Sequence, residues 1–240
     1  MLERTLEPEI MDSCEEAMAY DAMDHSAVNE AFAKDLLAVP SLGTDLLDLG
    51  TGTALIPTVL CRLNRDVRIM AADASRWMLE IARYNLEVFQ CASRVQLHLV
   101  DAKDMIFQDN YFDGVISNTL LHHLPEHDNF FREAIRVLRP GGVLFLRDLF
   151  RPESEEELEK LVTTYGGADS NGQQLLRQSF HAALTLPEIQ SLVEPFGIPR
   201  ECIRMTSDRH WTLAARASSS KQTFAPVDQI QPSTDSSRQA

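Results

Sequence analysis

The stretch LLDLGTGTALIP, Leu46 to Pro57, is an apolar run that stops at Gly50 and Gly52 just before a helical pattern begins. A short apolar run closed by glycine reads as a buried strand, so the segment is a strand, a tight turn and the start of a helix. Working outward, the same change of period repeats along the chain. Strand patterns DLLDLG (45–50), VRIMAAD (67–73), VQLHLVD (95–101), FDGVISN (112–118) and GGVLFLRDL (141–149) alternate with helical patterns ALIPTVLCRL (54–63), SRWMLEIARYNLEVF (75–89) and FFREAIRVLRP (130–140). That alternation specifies an α/β fold with a doubly wound, Rossmann-like sheet, whose ligand crevice lies beyond the carboxyl ends of the strands. Asp48 with Gly50, Asp73, Asp101, Asn118 and Asp148 fall at or just past those ends, in strand order.

The flanks add to this core. Residues 1–44 read as an N-terminal helical cap, 45–150 as the ligand-binding core and 151–185 as a helical insert or lid. Residues 186–217 read as a last helix and a terminal strand pair that complete the sheet, with Thr185 as a helix cap and Gly197 as its terminator. The expected sheet has seven strands, mostly parallel, with an antiparallel terminal strand. From Ser218 to Ala240 the chain is rich in Ser, Gln and Pro, so it is expected to be a disordered tail whose removal costs little.

Composition narrows the function. The 240 residues carry 36 acids against 22 bases, a net charge of -14, and no basic stripe interrupts it, so no nucleic-acid partner is expected. No apolar run reaches the roughly 20 residues of a membrane span, and the acidic N-terminus does not read as an export signal. A soluble, cytoplasmic protein is expected. Four scattered cysteines fit free thiols in a reducing compartment. Asp21, Asp24 and His25 lie close in sequence, but their spacing is also that of an ordinary helical pair, and no metal is expected.

The glycines let a ligand approach the turn closely, and the following helix N-terminus favours its negative portion. Asp73, about twenty residues on, is spaced to accept from both hydroxyls of a ribose, so the ligand contains a nucleoside. A dinucleotide fingerprint would need glycine at Leu55, which disfavours NAD.

At this point the chain resembles the class I S-adenosylmethionine-dependent methyltransferases of the small-molecule type. DLGTGT is similar to their first motif, DASRWML from Asp73 to their second, VDAKDM from Val100 to their third, and FDGVISNTLLHHL with RVLRPGG to their fourth and fifth elements. The resemblance implies S-adenosylmethionine as cofactor. It sets Asp48, Gly50, Thr51 and Gly52 against the methionine portion, Asp73 and Ala74 at the ribose, Asp101 and Ala102 at the adenine edge, Met78 on the adenine face, and Asn118 near the sulfonium.

Methyl transfer is an in-line displacement at a carbon already activated by positive sulfur, so a base is needed only if the acceptor must lose a proton. His122, His123, Tyr20 and His25 are the candidate catalytic side chains. Asn29, Arg147, Asp148, Tyr165, Arg177 and His181 are the candidate acceptor-binding ones, since the elements covering the strand ends are where acceptor recognition belongs. His210 is a further polar group at the start of the last strand. The expected partners are a small-molecule methyl acceptor and, as one candidate assembly, a second copy of the chain in a homodimer. Two other functions stay open at this point, a regulator that holds the cofactor without transferring methyl and a nicotinamide-dependent oxidoreductase.

Overall fold

A computed structural model describes residues 2–7, 13–167 and 170–227. The buried strand pattern around the opening glycines is β1 (Asp45–Leu49), and the helix after the turn is α3 (Leu55–Leu63). Parallel neighbours follow as β2 (Arg68–Asp73), β3 (Val95–Leu99), β4 (Phe112–Asn118) and β5 (Leu138–Leu149). Antiparallel β7 (His210–Ala217) pairs with β5 from His210 to Arg216, and β6 (Ile203–Met205) lies beyond it. The order β3-β2-β1-β4-β5-β7-β6 reverses direction at β1, so the crevice opens between β1 and β4.

Pleat alternation divides the core. Leu46, Ile116, Val143 and Phe145 face α2 (Ser26–Leu37), α3 and α4 (Arg76–Val88). Leu47, Val115, Leu144, Leu146 and Trp211 face α5 (Asp128–Val137) and α8 (Leu186–Val193). Because successive side chains point to opposite faces, Arg147 goes to the α2 side and Asp148 to the other. A smaller cluster joins α6 (Glu155–Tyr165) to α7 (Ser170–Ala182) through Leu158, Val162 and Phe180. At the N-terminus, α1 (Cys14–Asp21) is tied down where Asn85 of α4 donates to Asp21 (2.9 Å) and to the Thr53 carbonyl (3.0 Å). No helix among the described residues is long and apolar enough to cross a membrane.

Three sequence expectations need correction. The helix expected to run to Pro140 ends at Val137, because Leu138 already pairs with Phe112 and the ladder resumes at Gly114 and Val143 after a bulge. The expected sheet of seven strands has an eighth, β8 (Phe224–Pro226), paired antiparallel with Ala215–Ala217. The expected tail is therefore ordered as far as Val227, with Phe224 and Val227 both buried, while residues 228–240 lie outside the described residues. Burying these two apolar side chains contributes about 3 to 5 kcal/mol. Truncation at Ser218 should accordingly lower the melting temperature by several degrees, which differential scanning calorimetry would read; an unchanged transition would mean that β8 contributes nothing.

Candidate functional site

The turn after β1 begins as the sequence suggests, with Gly50 at φ 70° and Gly52 at φ 56°. A Cβ at Gly50 would stand 2.9 Å from Leu120 Cδ1, so the position excludes a side chain on two counts. The expectation that the turn offers its amides to a ligand is not met. Gly50 and Thr51 donate to the Ala72 carbonyl (2.9 and 3.0 Å), and Gly52 donates to Asp73 Oδ2 (2.8 Å). The glycines therefore serve close approach, and the turn is sewn to the end of β2.

Asp73 is the hinge of this arrangement. Its Oδ1 also accepts from the Ser75 amide (2.8 Å), and Ser75 caps α4. Burial pushes its carboxyl above the usual range, and the backbone amides oppose that shift. Each carboxylate oxygen keeps further acceptor capacity for a ligand hydroxyl. Asp48 is deeper, and burial, with the charge of Asp73 adding to it, pushes its carboxyl up to about 7. Its Oδ2 has no hydrogen-bond partner in the structure. A small cavity of about 20 Å³ beside it, lined also by Thr51, Tyr20, Asn29 and Asn118, has room for a water-sized group.

Above the strand ends lies one cavity of about 1550 Å³. Its lining includes Gly50, Gly52, Asp73, Ala74, Met78, Asp101, Ala102 and Asn118, so eight of the expected cofactor residues share it, while Asp48 and Thr51 line only the small cavity. The same cavity is also lined by Tyr20, His25, Asn29, His123, Tyr165 and His210, with Tyr20 beside the glycine turn, its ring 3.6 Å from where a Cβ at Gly52 would stand. Tyr20 stacks against His25 with centroids 4.8 Å apart. Burial and nearby Asp73 push the Tyr20 hydroxyl up to about 12, so it stays protonated, and burial lowers His25. Burial, with Arg209 and Arg147 adding to it, lowers His210 to about 3, and its Nδ1 is 2.9 Å from Ser207 Oγ. Tyr165 donates to Asp208 Oδ2 (2.6 Å), and the Arg209 guanidinium lies 3.3 Å from the Tyr165 ring centroid.

Several expected site residues have other duties. His122 is buried between two carboxylates, its Nδ1 2.5 Å from Asp148 Oδ1 and its Nε2 3.1 Å from Glu7 Oε1. Burial disfavours its cation, but Asp148 and Glu7 outweigh that and hold it at about 9, so His122 is a charged strut and not a free base. Asp148 is consumed by the same pair and by the amides of His122 (3.1 Å) and Leu149 (2.6 Å), and it does not line the cavity. Arg147 reaches the cavity wall, but it bonds Asp35 (2.5 Å) and Thr212 (2.8 Å) and lies over the Phe32 and Phe145 rings, which ties α2 to β5 and β7. Arg177 forms a two-pronged pair with Glu159 on the outer surface and does not line the cavity. His181 does not line it either; its carbonyl accepts from Thr5.

Sequence reasoning missed Glu7, Thr119, Ser207, Asp208 and Arg209. Glu7 arrives on an N-terminal strap, residues 2–7, that runs beside α7 and the 3-10 turn Leu121–His123: Arg4 donates to the carbonyls of Ala182 (2.7 Å), Leu124 (3.1 Å) and His122 (3.3 Å). The positive φ of Thr119, at 55°, marks a tight turn after β4 that no glycine announced.

Residues 47–146 match the family model of a methyltransferase domain, and this span runs from the glycine turn to the middle of β5. Over that span the chain is similar to the class I S-adenosylmethionine-dependent methyltransferases. Similar proteins include the ubiquinone/menaquinone biosynthesis C-methyltransferase UbiE of Vibrio cholerae, 29% identical over 70% of this chain and 60% of its own length. The 27-O-demethylrifamycin SV methyltransferase of Amycolatopsis mediterranei is 30% identical over 72% of this chain and 61% of its own. The chain thus spans about 60% of the length of these curated relatives. Its fold is that of a candidate S-adenosyl-L-methionine-dependent methyltransferase of Methanococcus maripaludis, with a TM-score of 0.67 at 18% identity, covering 94% of this chain and 98% of that one. S-adenosylmethionine is the cofactor of this class, and the residues present fit it: Asp73 on the cavity wall keeps acceptor capacity beyond its two amide contacts, and the buried Asp48 Oδ2 has no partner.

Proposed function

We propose that this protein binds S-adenosylmethionine at the Asp73 end of the cavity and transfers its methyl group, in line, to a small-molecule acceptor held at the His123 end. The supporting observation is that one cavity of about 1550 Å³ is lined by both Asp73 and His123, and it is larger than the roughly 300 to 1000 Å³ that a single drug-sized ligand occupies. The cavity walls also include Val28, Leu124, Leu149 and Leu176, which favour a flat or branched apolar body. The acceptor is a phenol, hydroquinone or similarly acidic carbon or hydroxyl, the class suggested by the names of the quinone and rifamycin methyltransferases it is similar to.

His123 is the base in this reading. Its Nδ1 lies 3.3 Å from Glu7 Oε1, so a carboxylate orients the ring and stabilises its cation as the acceptor proton arrives. Tyr20, protonated, donates a hydrogen bond; His210, neutral, adds none of the charge that an apolar acceptor would have to desolvate. Asn29 and Asp101 line the same cavity. A cytoplasmic site of action belongs to the same proposal, consistent with four free cysteines, of which three are buried.

Calorimetric titration with S-adenosylmethionine, S-adenosylhomocysteine and NADH, followed by transfer of labelled methyl to a panel of phenols and hydroquinones, tests it. Binding of NADH alone, or tight adenosyl binding with no transfer to any acceptor, would overturn it. The titration also carries a pH signature. The cofactor's ammonium and sulfonium favour ionised Asp48, which burial holds near 7, so S-adenosylmethionine affinity should rise with pH up to about 8 and then level off. Asp48→Asn should flatten that profile.

A further inference from the structure

We propose that Glu7, His122 and His123 form a binding site for one divalent first-row cation of the zinc or cobalt type, opening on the cavity. The site stands apart from the choice of acceptor, but it is an alternative to the base role of His123, because an imidazole bound through Nδ1 carries its proton on Nε2. Glu7 Oε1 stands 3.1 Å from His122 Nε2 and 3.3 Å from His123 Nδ1, and the three atoms all lie within 4.8 Å of one another. Two ligands bound at about 2.0 to 2.2 Å in tetrahedral geometry are themselves about 3.3 Å apart, so two of the three edges already have that length. Closing the third edge needs only a rotation of the adjacent imidazoles, whose centroids are 4.2 Å apart.

The surroundings have the form of an outer shell. Asp148 Oδ1, 2.5 Å from His122 Nδ1, holds that nitrogen as the protonated one and leaves Nε2 to the metal, the carboxylate-histidine arrangement that orients metal ligands. Ser179 Oγ donates to Glu7 Oε1 (3.2 Å) and Oε2 (3.4 Å), which fixes the carboxylate plane. The cation replaces the proton that His122 otherwise carries, and two carboxylates, one bound and one behind the imidazole, meet its charge. A donor set of two imidazoles and one carboxylate selects zinc, cobalt or nickel over magnesium or calcium, which require mostly oxygen. Three protein ligands leave a position open, and both histidines line the cavity, so the open side faces the bound molecule.

The test uses full-length protein without a polyhistidine tag, stripped by chelator and titrated with Co²⁺. One equivalent should bind with the visible d-d bands of a four- or five-coordinate site, and Zn²⁺ should abolish them. Glu7→Gln and His123→Gln should each weaken binding by about tenfold to a hundredfold or more. Their metal-free melting temperatures, measured alongside, establish that they fold. His181→Gln, outside the cavity, should bind as the parent does. Absence of the bands, sulfur-to-cobalt charge-transfer absorption from a cysteine, or unaltered binding in folded Glu7→Gln would each overturn the site.

Discussion

Asp148→Asn is expected to lower the unfolding free energy at neutral pH by about 3 to 5 kcal/mol, a fall in melting temperature of about 10 °C. The reason is geometric. The carboxylate is buried and makes three contacts at once, with the His122 ring and with the amides of His122 and Leu149, and the amide side chain that replaces it leaves a buried imidazolium with one counter-charge instead of two. The pH dependence has a definite sign. His122 is raised from 6.5 to about 9, so its contribution is fully present below about pH 6.5 and is lost as the pH rises through 9. Urea unfolding at pH 6 and pH 9.5 should show the wild type losing stability over that window and the variant losing much less. If His122 were instead a freely titrating base, Asp148→Asn would reduce turnover and leave both melting temperature and slope as they were.

The second large effect falls on the cofactor. Asp73→Ala should weaken S-adenosylhomocysteine binding by about 1 to 3 kcal/mol, between about fivefold and a hundredfold, through two lost hydrogen bonds to the ribose hydroxyls. The geometry adds a second cost. The same carboxylate receives the Gly52 and Ser75 amides, so its removal frees the glycine turn from β2 and loosens the start of α4. Folding stability should therefore fall together with affinity, by about 1 to 3 kcal/mol. Asp73→Glu separates the two effects, because the longer side chain keeps the charge but not both short contacts. Undiminished affinity in a folded Asp73→Ala protein would remove Asp73 from the cofactor site.

Much of this was readable before any coordinates because the information is local. A parallel strand buried on both faces leaves a continuous apolar run, and the polar residue that ends it stands at the crevice; Asp73, Asp101 and Asn118 were legible for that reason. Arg147 and Asp148 satisfy the same rule and still differ from the expectation, because the pleat sends one to Asp35 and Thr212 and the other to His122. Nothing in the run FLRDL distinguishes a ligand group from a strut. Glu7 was illegible for another reason: it becomes meaningful only where the strap meets the turn at His122, a contact between distant parts of the chain. Strand β8 escaped notice because three residues, one of them Pro226, show no periodicity among serines and glutamines.

That strand has a bearing on self-association. Beyond its pairing with β5, β7 offers a second edge of eight residues, and β6 occupies it from Trp211 to Leu213 while β8 occupies it from Ala215 to Ala217. The sheet thus ends on two three-residue strands laid end to end, one carrying a proline, and neither presents the long unbroken row of amides on which another chain could template itself. Pairing of two copies across this border is disfavoured, which leaves β3 as the one edge of the described sheet with a continuous five-residue strand.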